Sequence, residues 1–218
     1  MTINSGESKL HPDKSWVFCH RGLWKNQAEQ NSPTAVLHAQ NQSFSAEIDL
    51  RIYLNQVYVS HDSMSMSENQ KLNYFTFSAG RLALNIKSDG LYSYLEYFRE
   101  SLIISNSFVF DGSIPEMLKY KNLNFPHALR LSEYEKSLVW PVKHVWLDGF
   151  YSDWWINSEE IKSIMEKTDI IIVSPEIHGR EYNKVWEWLL IKRTEGYTNL
   201  SICTDKPEEI IRLSSGAK

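Results

Sequence analysis

The sequence predicts an α/β protein, a compact (β/α)8 TIM barrel formed by a single domain over residues 1–218, and three observations carry that prediction. Short runs rich in β-branched and aromatic residues recur at 16–20, 45–51, 82–87, 108–111, 128–131, 144–148, 170–174 and 200–204, giving eight strand candidates. Most are followed by segments of helical periodicity, at 32–40, 91–102, 114–121, 158–167, 182–193 and 207–213, and strands alternating with helices build a parallel sheet. Helix-start signals fix the phase: Ser32 precedes Pro33, Ser113 precedes Ile114-Pro115-Glu116, and Asp205 precedes Lys206-Pro207-Glu208.

A chain of 218 residues is shorter than the ~250 typical of such barrels, so some helices or loops must be trimmed. A doubly wound open sheet is the alternative. One connection departs from the rhythm: Leu54-Asn55-Gln56 lies between the alternating runs IDLRIYL and VYVSHD and reads as a tight β-hairpin after the second strand. That extra hairpin turns His61-Asp62 back toward the end of the second strand. Residues 1–14 and 214–218 are expected to be flexible.

Composition narrows the function. The chain is 42% hydrophobic and carries 23 Lys plus Arg against 27 Asp plus Glu, a formal net charge of -4. No basic run interleaved with aromatics marks a nucleic-acid groove. No stretch approaches the ~20 apolar residues of a spanning helix, so stable membrane insertion is not expected. The start MTINSGESKLHPDK lacks the pattern of a signal peptide, which predicts a cytoplasmic location. Cys19 and Cys203 sit in apolar runs and are expected to be free, buried thiols.

The chemistry-bearing residues cluster at strand ends. His20-Arg21-Gly22 closes the first strand, and Glu47 and Asp49 share one face of the second because alternate residues do. Two carboxylates cannot sit together in a partly buried mouth unless neutralised, and a hard divalent cation, Mg2+ or Ca2+, does so with oxygen ligands. His61 follows the hairpin and Lys87 ends the strand LNIK. Cleaving a phosphodiester needs positive groups against the non-bridging oxygens, a base for the nucleophile and an acid for the leaving alkoxide. Arg21, Lys87 and a metal suit the first task, His20 and His61 the others, with a small-molecule phosphodiester as substrate.

The order His-Arg-Gly, a Gln-Asn-Ser turn, Glu-x-Asp, His-Asp after a hairpin, and a strand ending in Lys resembles the glycerophosphodiester phosphodiesterases. The resemblance covers roughly the first ninety residues; beyond them it rests on the rhythm of strands and helices. It implies a TIM barrel, His20 and His61 as the general acid/base pair, Arg21 and Lys87 as phosphate clamps, and Glu47 and Asp49 as metal ligands. The departures mark a divergent member: Glu29-Gln30-Asn31-Ser32 stands where the family has Pro-Glu-Asn-Thr, the hairpin before His-Asp is shorter, and Asn85 stands in place of a third acidic ligand. An amide carbonyl can coordinate a metal, but without charge. The change should weaken metal affinity unless Asp111, Asp148 or Glu176, each at a strand end, compensates, with Glu176 in the polar segment SPEIHGR the first choice.

The loops after the last strands of such barrels often bind phosphate, which makes His178 and Arg180 candidates for the substrate head group. Trp154 and Trp155 read either as pocket wall or as packing. Asp62 is expected to orient a ring or cap a turn, and Asp111-Gly112 and Asp148-Gly149 have an ordinary reading as turns. His38 and Glu96 read as solvated helix faces, Trp186 and Trp188 as core or interface, and His11, His127 and His144 have no partner motif. Three functions remain open: hydrolysis of a small phosphodiester to an alcohol and a phosphomonoester, with an internal-hydroxyl variant giving a cyclic phosphate; action on a sugar-linked phosphodiester; and a catalytically weakened barrel that binds a phosphorylated ligand, which Asn85 favours.

Overall fold

The computed structural model describes residues 13–62, 68–74 and 80–216. Most of the N-terminal segment read as flexible, and His11 within it, lies outside the described residues. Eight parallel strands form the barrel: β1 (Lys14–His20), β2 (Phe44–Tyr53), β4 (Leu82–Ile86), β5 (Phe108–Phe110), β6 (Ala128–Leu131), β7 (His144–Leu147), β8 (Asp169–Val173) and β9 (Leu200–Thr204). Their order is β5-β4-β2-β1-β9-β8-β7-β6. Between β5 and β6 the ring is nearly closed by a parallel bridge from Val109 to His127 and a hydrogen bond from the Val109 amide to the Pro126 carbonyl, 3.1 Å. The remaining strand, β3 (Gln56–Val59), pairs antiparallel with β2.

Sequence alternation sets which side chains face the barrel axis. In β2, Ala46, Ile48 and Leu50 pack outward against helices while Glu47 and Asp49 point inward. The inner core is small and aromatic: Phe18, Phe108, Phe110 and Trp146, with Ile171, Val173 and Cys203. Phe110 stacks on Trp146 at 4.0 Å, and Phe108 on His144 at 4.7 Å. At the end of the barrel away from the strand C-termini, Arg81 lies over Phe18 and reaches both His144 and Asp169. His144, with no partner in its own motif, thus finds two, Arg81 and, on the adjacent strand β8, Asp169. The cysteines lie on adjacent strands but on opposite faces, Cys19 outward and Cys203 inward, and both are free and buried.

The helices are α1 (Pro33–Asn41), α2 (Tyr92–Leu95), α3 (Arg99–Ile104), α4 (Ile114–Asn122), α5 (Glu159–Met165), α6 (Asn183–Thr194) and α7 (Pro207–Ser214). Ser32, Ser113 and Ser158 cap α1, α4 and α5 through their hydroxyls. The single helix expected over 91–102 is interrupted by a 3-10 turn at Glu96–Phe98, and neither α2 nor α3 has a capping side chain at its start. Among the described residues no α-helix follows β3, where two 3-10 turns stand at Glu68–Gln70 and Leu72–Tyr74, and none follows β6, which is how a short chain completes the ring. Lys14 and Ser214, expected in flexible ends, belong to β1 and α7. No helix among the described residues is long and apolar enough to cross a membrane.

Two turns aim the site. Leu54 and Asn55 take positive φ, +46° and +58°, the two-residue hairpin geometry that matches strand twist, and Tyr53 pairs with Gln56 across it. Gly22 has φ +87°, and a Cβ there would lie 2.8 Å from the Ala35 carbonyl carbon in α1. Gly22→Ala is therefore expected to destabilise the fold by about 1–3 kcal/mol, read as a lower denaturation midpoint. A wild-type midpoint would mean that this loop is not pressed against α1.

Candidate functional site at the barrel mouth

The C-terminal ends of the strands enclose a cavity of about 570 Å3 bordered by His20, Arg21, Glu47, Asp49, His61, Asn85 and Lys87. Strand register explains how residues so far apart in sequence converge. His20 is level with Glu47, and one layer further along Asp49 is level with Asn85, which is level with Phe110.

Asp49 is the buried centre. Its carboxylate accepts a hydrogen bond from the Asn31 side-chain amide at 2.9 Å, and the Asn31 side-chain oxygen accepts from the Asp49 backbone N–H at 3.0 Å. Arg21 Nε lies 3.3 Å and Lys87 Nζ 3.4 Å from its two oxygens. Arg21 also donates through its guanidinium to Gln30 and through its backbone N–H to Glu47. Arg21, Asn31 and Asp111 all hold positive φ, +60°, +58° and +65°, a conformation costly for residues with side chains and concentrated at functional sites.

Each candidate acid/base histidine rests on an aspartate. His20 Nδ1 donates to Asp205 at 2.8 Å and His61 Nδ1 to Asp62 at 2.9 Å. Burial alone would push the His20 pKa down, but the hydrogen bond to Asp205 and the charges of Glu47 and Asp205 outweigh it and raise it. The hydrogen bond from His61 holds the Asp62 carboxyl below its usual range, consistent with the supporting role read for Asp62. Arg51 fixes the hairpin side by donating to the carbonyls of His61, 2.8 Å, and Lys87, 3.3 Å.

The donor set fits a hard cation in two respects. Burial first, and then the neighbouring Asp49, push the Glu47 carboxyl up to about 7; a cation beside it would relieve that cost. The buried Oδ1 of Asn85 has no hydrogen-bond partner among the described residues. Against this, Asp49 already has Arg21 and Lys87, and the described residues contain no ready group of three or more His, Cys, Asp or Glu side chains for a metal. Glu47 and Asn85 are thus the oxygen donors still short of a positive partner.

Other candidates are distributed differently from the sequence reading. Glu176 does not border the cavity; its carboxylate accepts from the Ser174 and Thr204 hydroxyls and from the Asp205 backbone N–H, so it supports Asp205 from behind. Asp205 does not cap α7, whose N-cap Lys206 makes no capping hydrogen bond through its side chain; the Asp205 carboxylate serves His20 instead. Asp148 and His178 do border the cavity and bond to each other at 2.7 Å. Asp111 also borders it, its carboxyl raised by burial despite Arg130 at 3.2 Å. Arg180 clips the following loop through Gly149 and Asp153. Trp154 donates to the Asp148 carbonyl and Trp155 packs edge-on against Trp188, so both are packing residues, and the aromatic wall is made by Trp146 and Phe150. Asp205, Arg51, Arg130, Trp146 and Phe150 were not found from the sequence. Asp205 carried a usable signal, a carboxylate at the end of the strand beside His20.

The His20–Asp205 pair is open to direct test. Asp205→Asn removes the carboxylate that accounts for the largest of the contributions raising the His20 pKa and leaves burial opposed by Glu47 alone, so NMR titration should show it falling. An unchanged titration would contradict the pairing.

No protein-family profile and no curated protein matches the sequence. Solved structures do match in fold. The glycerophosphodiester phosphodiesterase from Agrobacterium tumefaciens str. C58 superposes with a TM-score of 0.63 at 15% identity, over 89% of this chain and 97% of that one. A putative glycerophosphoryl diester phosphodiesterase from Silicibacter pomeroyi DSS-3 does so with a TM-score of 0.54 at 10% identity, over 94% and 95%. The fold of this chain is thus the TIM barrel of two proteins whose descriptions match the family that its motif order resembles.

Proposed function

We propose that this protein hydrolyses a small phosphodiester to an alcohol and a phosphomonoester. The observation that carries the reading is that two histidines, each braced by an aspartate, border one cavity with two cations fixed on a buried carboxylate. Arg21 and Lys87 would receive the non-bridging oxygens, where negative charge grows as the bond to the leaving oxygen breaks. Glu47 and Asn85, with Asp49 beside them, would hold a hard cation, Mg2+ or Ca2+, whose chemistry there is to neutralise phosphoryl oxygens and acidify a bound water. His20, whose pKa is raised by its hydrogen bond to Asp205 and the charges of Glu47 and Asp205, suits proton delivery to the leaving alkoxide, and His61 suits activation of the nucleophile. Each aspartate fixes which ring nitrogen carries the proton and leaves Nε2 for the reaction. The motif order and the fold shared with the two neighbours support the same reaction class.

Hydrolysis of bis(p-nitrophenyl) phosphate and of glycerophosphodiesters should depend on Mg2+ or Ca2+ and stop on chelation. His20→Ala and His61→Ala should each cost ~100-fold or more in rate with the fold intact. Near wild-type turnover in both variants would sink the assignment. Absence of turnover in the wild type, with phosphate ligands still bound, would favour the weakened, ligand-binding barrel.

Asn85→Asp tests the metal arrangement without relying on turnover. Restoring a third carboxylate should tighten Mg2+ or Ca2+ binding about tenfold or more, since ligand charge sets such affinities, as read by calorimetry. Equal affinity in variant and wild type would place the cation away from Asn85.

A further inference from the structure

The mouth is larger than a phosphodiester link requires. Its volume of about 570 Å3 falls in the range of roughly 300–1,000 Å3 that encloses a whole small ligand, and its lining divides by chemistry. The cationic half, with His20, Arg21, His61 and Lys87, is accounted for by the phosphate. The half built by the ends of β5, β6, β7 and β8 carries Asp111, Arg130, Trp146, Asp148, Phe150 and His178, which the proposed hydrolysis leaves unused.

This second half is pre-arranged. Trp146 is only 5% exposed, stacks on Phe110 and still borders the cavity. Phe150 lies 5.1 Å from the His178 ring. The loop holding it is fixed by Glu133, whose carboxylate accepts the backbone N–H groups of Phe150, Tyr151 and Ser152 at 3.0, 3.1 and 3.0 Å. Arg180 pins the same loop at the Gly149 carbonyl, 2.7 Å.

Asp148 bonds His178 at 2.7 Å, while Asp111, 3.2 Å from Arg130, shares that guanidinium with Glu135 at 2.5 Å, and its buried Oδ1 has no hydrogen-bond partner among the described residues. Arg130 already stands over the Phe150 ring at 5.7 Å, the place a cationic alcohol would need. An acyl chain would leave the buried Asp111 Oδ1 without a hydrogen-bond donor. A ring of hydroxyls meets both demands: it donates to carboxylates, accepts from guanidinium and imidazole, and lays its C–H face on an aromatic plane. We propose that this half of the mouth is the subsite for the alcohol portion of the diester and selects a neutral polyhydroxylated ring, a sugar or a cyclitol. The assignment rests on the phosphodiesterase reading for the position of the phosphate.

The test measures kcat/KM, with divalent metal present, for glycerophosphoinositol and glycerophosphocholine, and binding of myo-inositol 1-phosphate and phosphocholine by calorimetry. The cyclitol ester should be preferred by about tenfold or more, and Phe150→Ala and Asp148→Asn should each remove most of that preference. Turnover with no preference, or with preference for the choline ester, overturns the subsite and leaves the phosphodiesterase reading standing. No turnover with a cyclitol preference in binding keeps the subsite and removes the hydrolysis. Neither turnover nor a binding preference removes both.

Discussion

The arrangement of the mouth depends on one buried carboxylate. Asp49 lies at the bottom of the cationic half, and Arg21, Lys87 and Asn31 all converge on it. Each of the three comes from a different segment: the β1 loop, the end of β4 and the turn before α1. A charge this deep is tolerable only when it is paired and hydrogen-bonded, so the pairing fixes the loops as much as the loops fix the pairing. Two cations are held close together, where their mutual repulsion would otherwise spread them, and they keep open faces toward the cavity. Glu47, one layer lower on the same strand, accepts a hydrogen bond from the Arg21 backbone N–H, but burial and the Asp49 charge outweigh its cationic neighbours and raise its carboxyl.

Much of this was legible in the sequence because it follows from periodicity. Alternation in β2 separates Ala46, Ile48 and Leu50 from Glu47 and Asp49 by position along the strand alone, and the turn at Leu54-Asn55 sets the hairpin that returns His61 to the mouth. Ser32 and Ser113 announce their helices because capping is a local interaction. The partnerships across the barrel were hidden. Asp205 looked like a helix start, yet the imidazole of His20 on the neighbouring strand claims it. Glu176 looked like a replacement metal ligand, yet two hydroxyls and a backbone amide satisfy it. Trp146 read simply as a strand residue, since only the closing of the ring brings it to the cavity. Register between strands distant in sequence decides all three, and no local pattern encodes it.

The site therefore reads as two chemistries sharing one opening, a rigid cationic half around Asp49 and an aromatic half of paired charges around Asp148. Supporting residues recur in both: Asp205 behind His20, Glu176 behind Asp205, Arg51 behind His61, Glu133 behind Phe150. Such buttressing fixes these side chains before any ligand arrives, which is what the proposed hydrolysis would need for electrostatic catalysis. The same barrel is kept at 15% and 10% identity by the two solved neighbours, as expected when the core needs only apolar volume and pattern.

The central claim is that the cations on Asp49 seat a phosphoryl group between His20 and His61. The most direct measurement is to titrate 15N-histidine-labelled protein with sn-glycerol 3-phosphate and follow the imidazole Nε2 resonances. Saturable shifts at His20 and His61, with His127 and His144 unmoved, are the predicted result. Shifts absent from His20 and His61, or confined to other histidines, would contradict it.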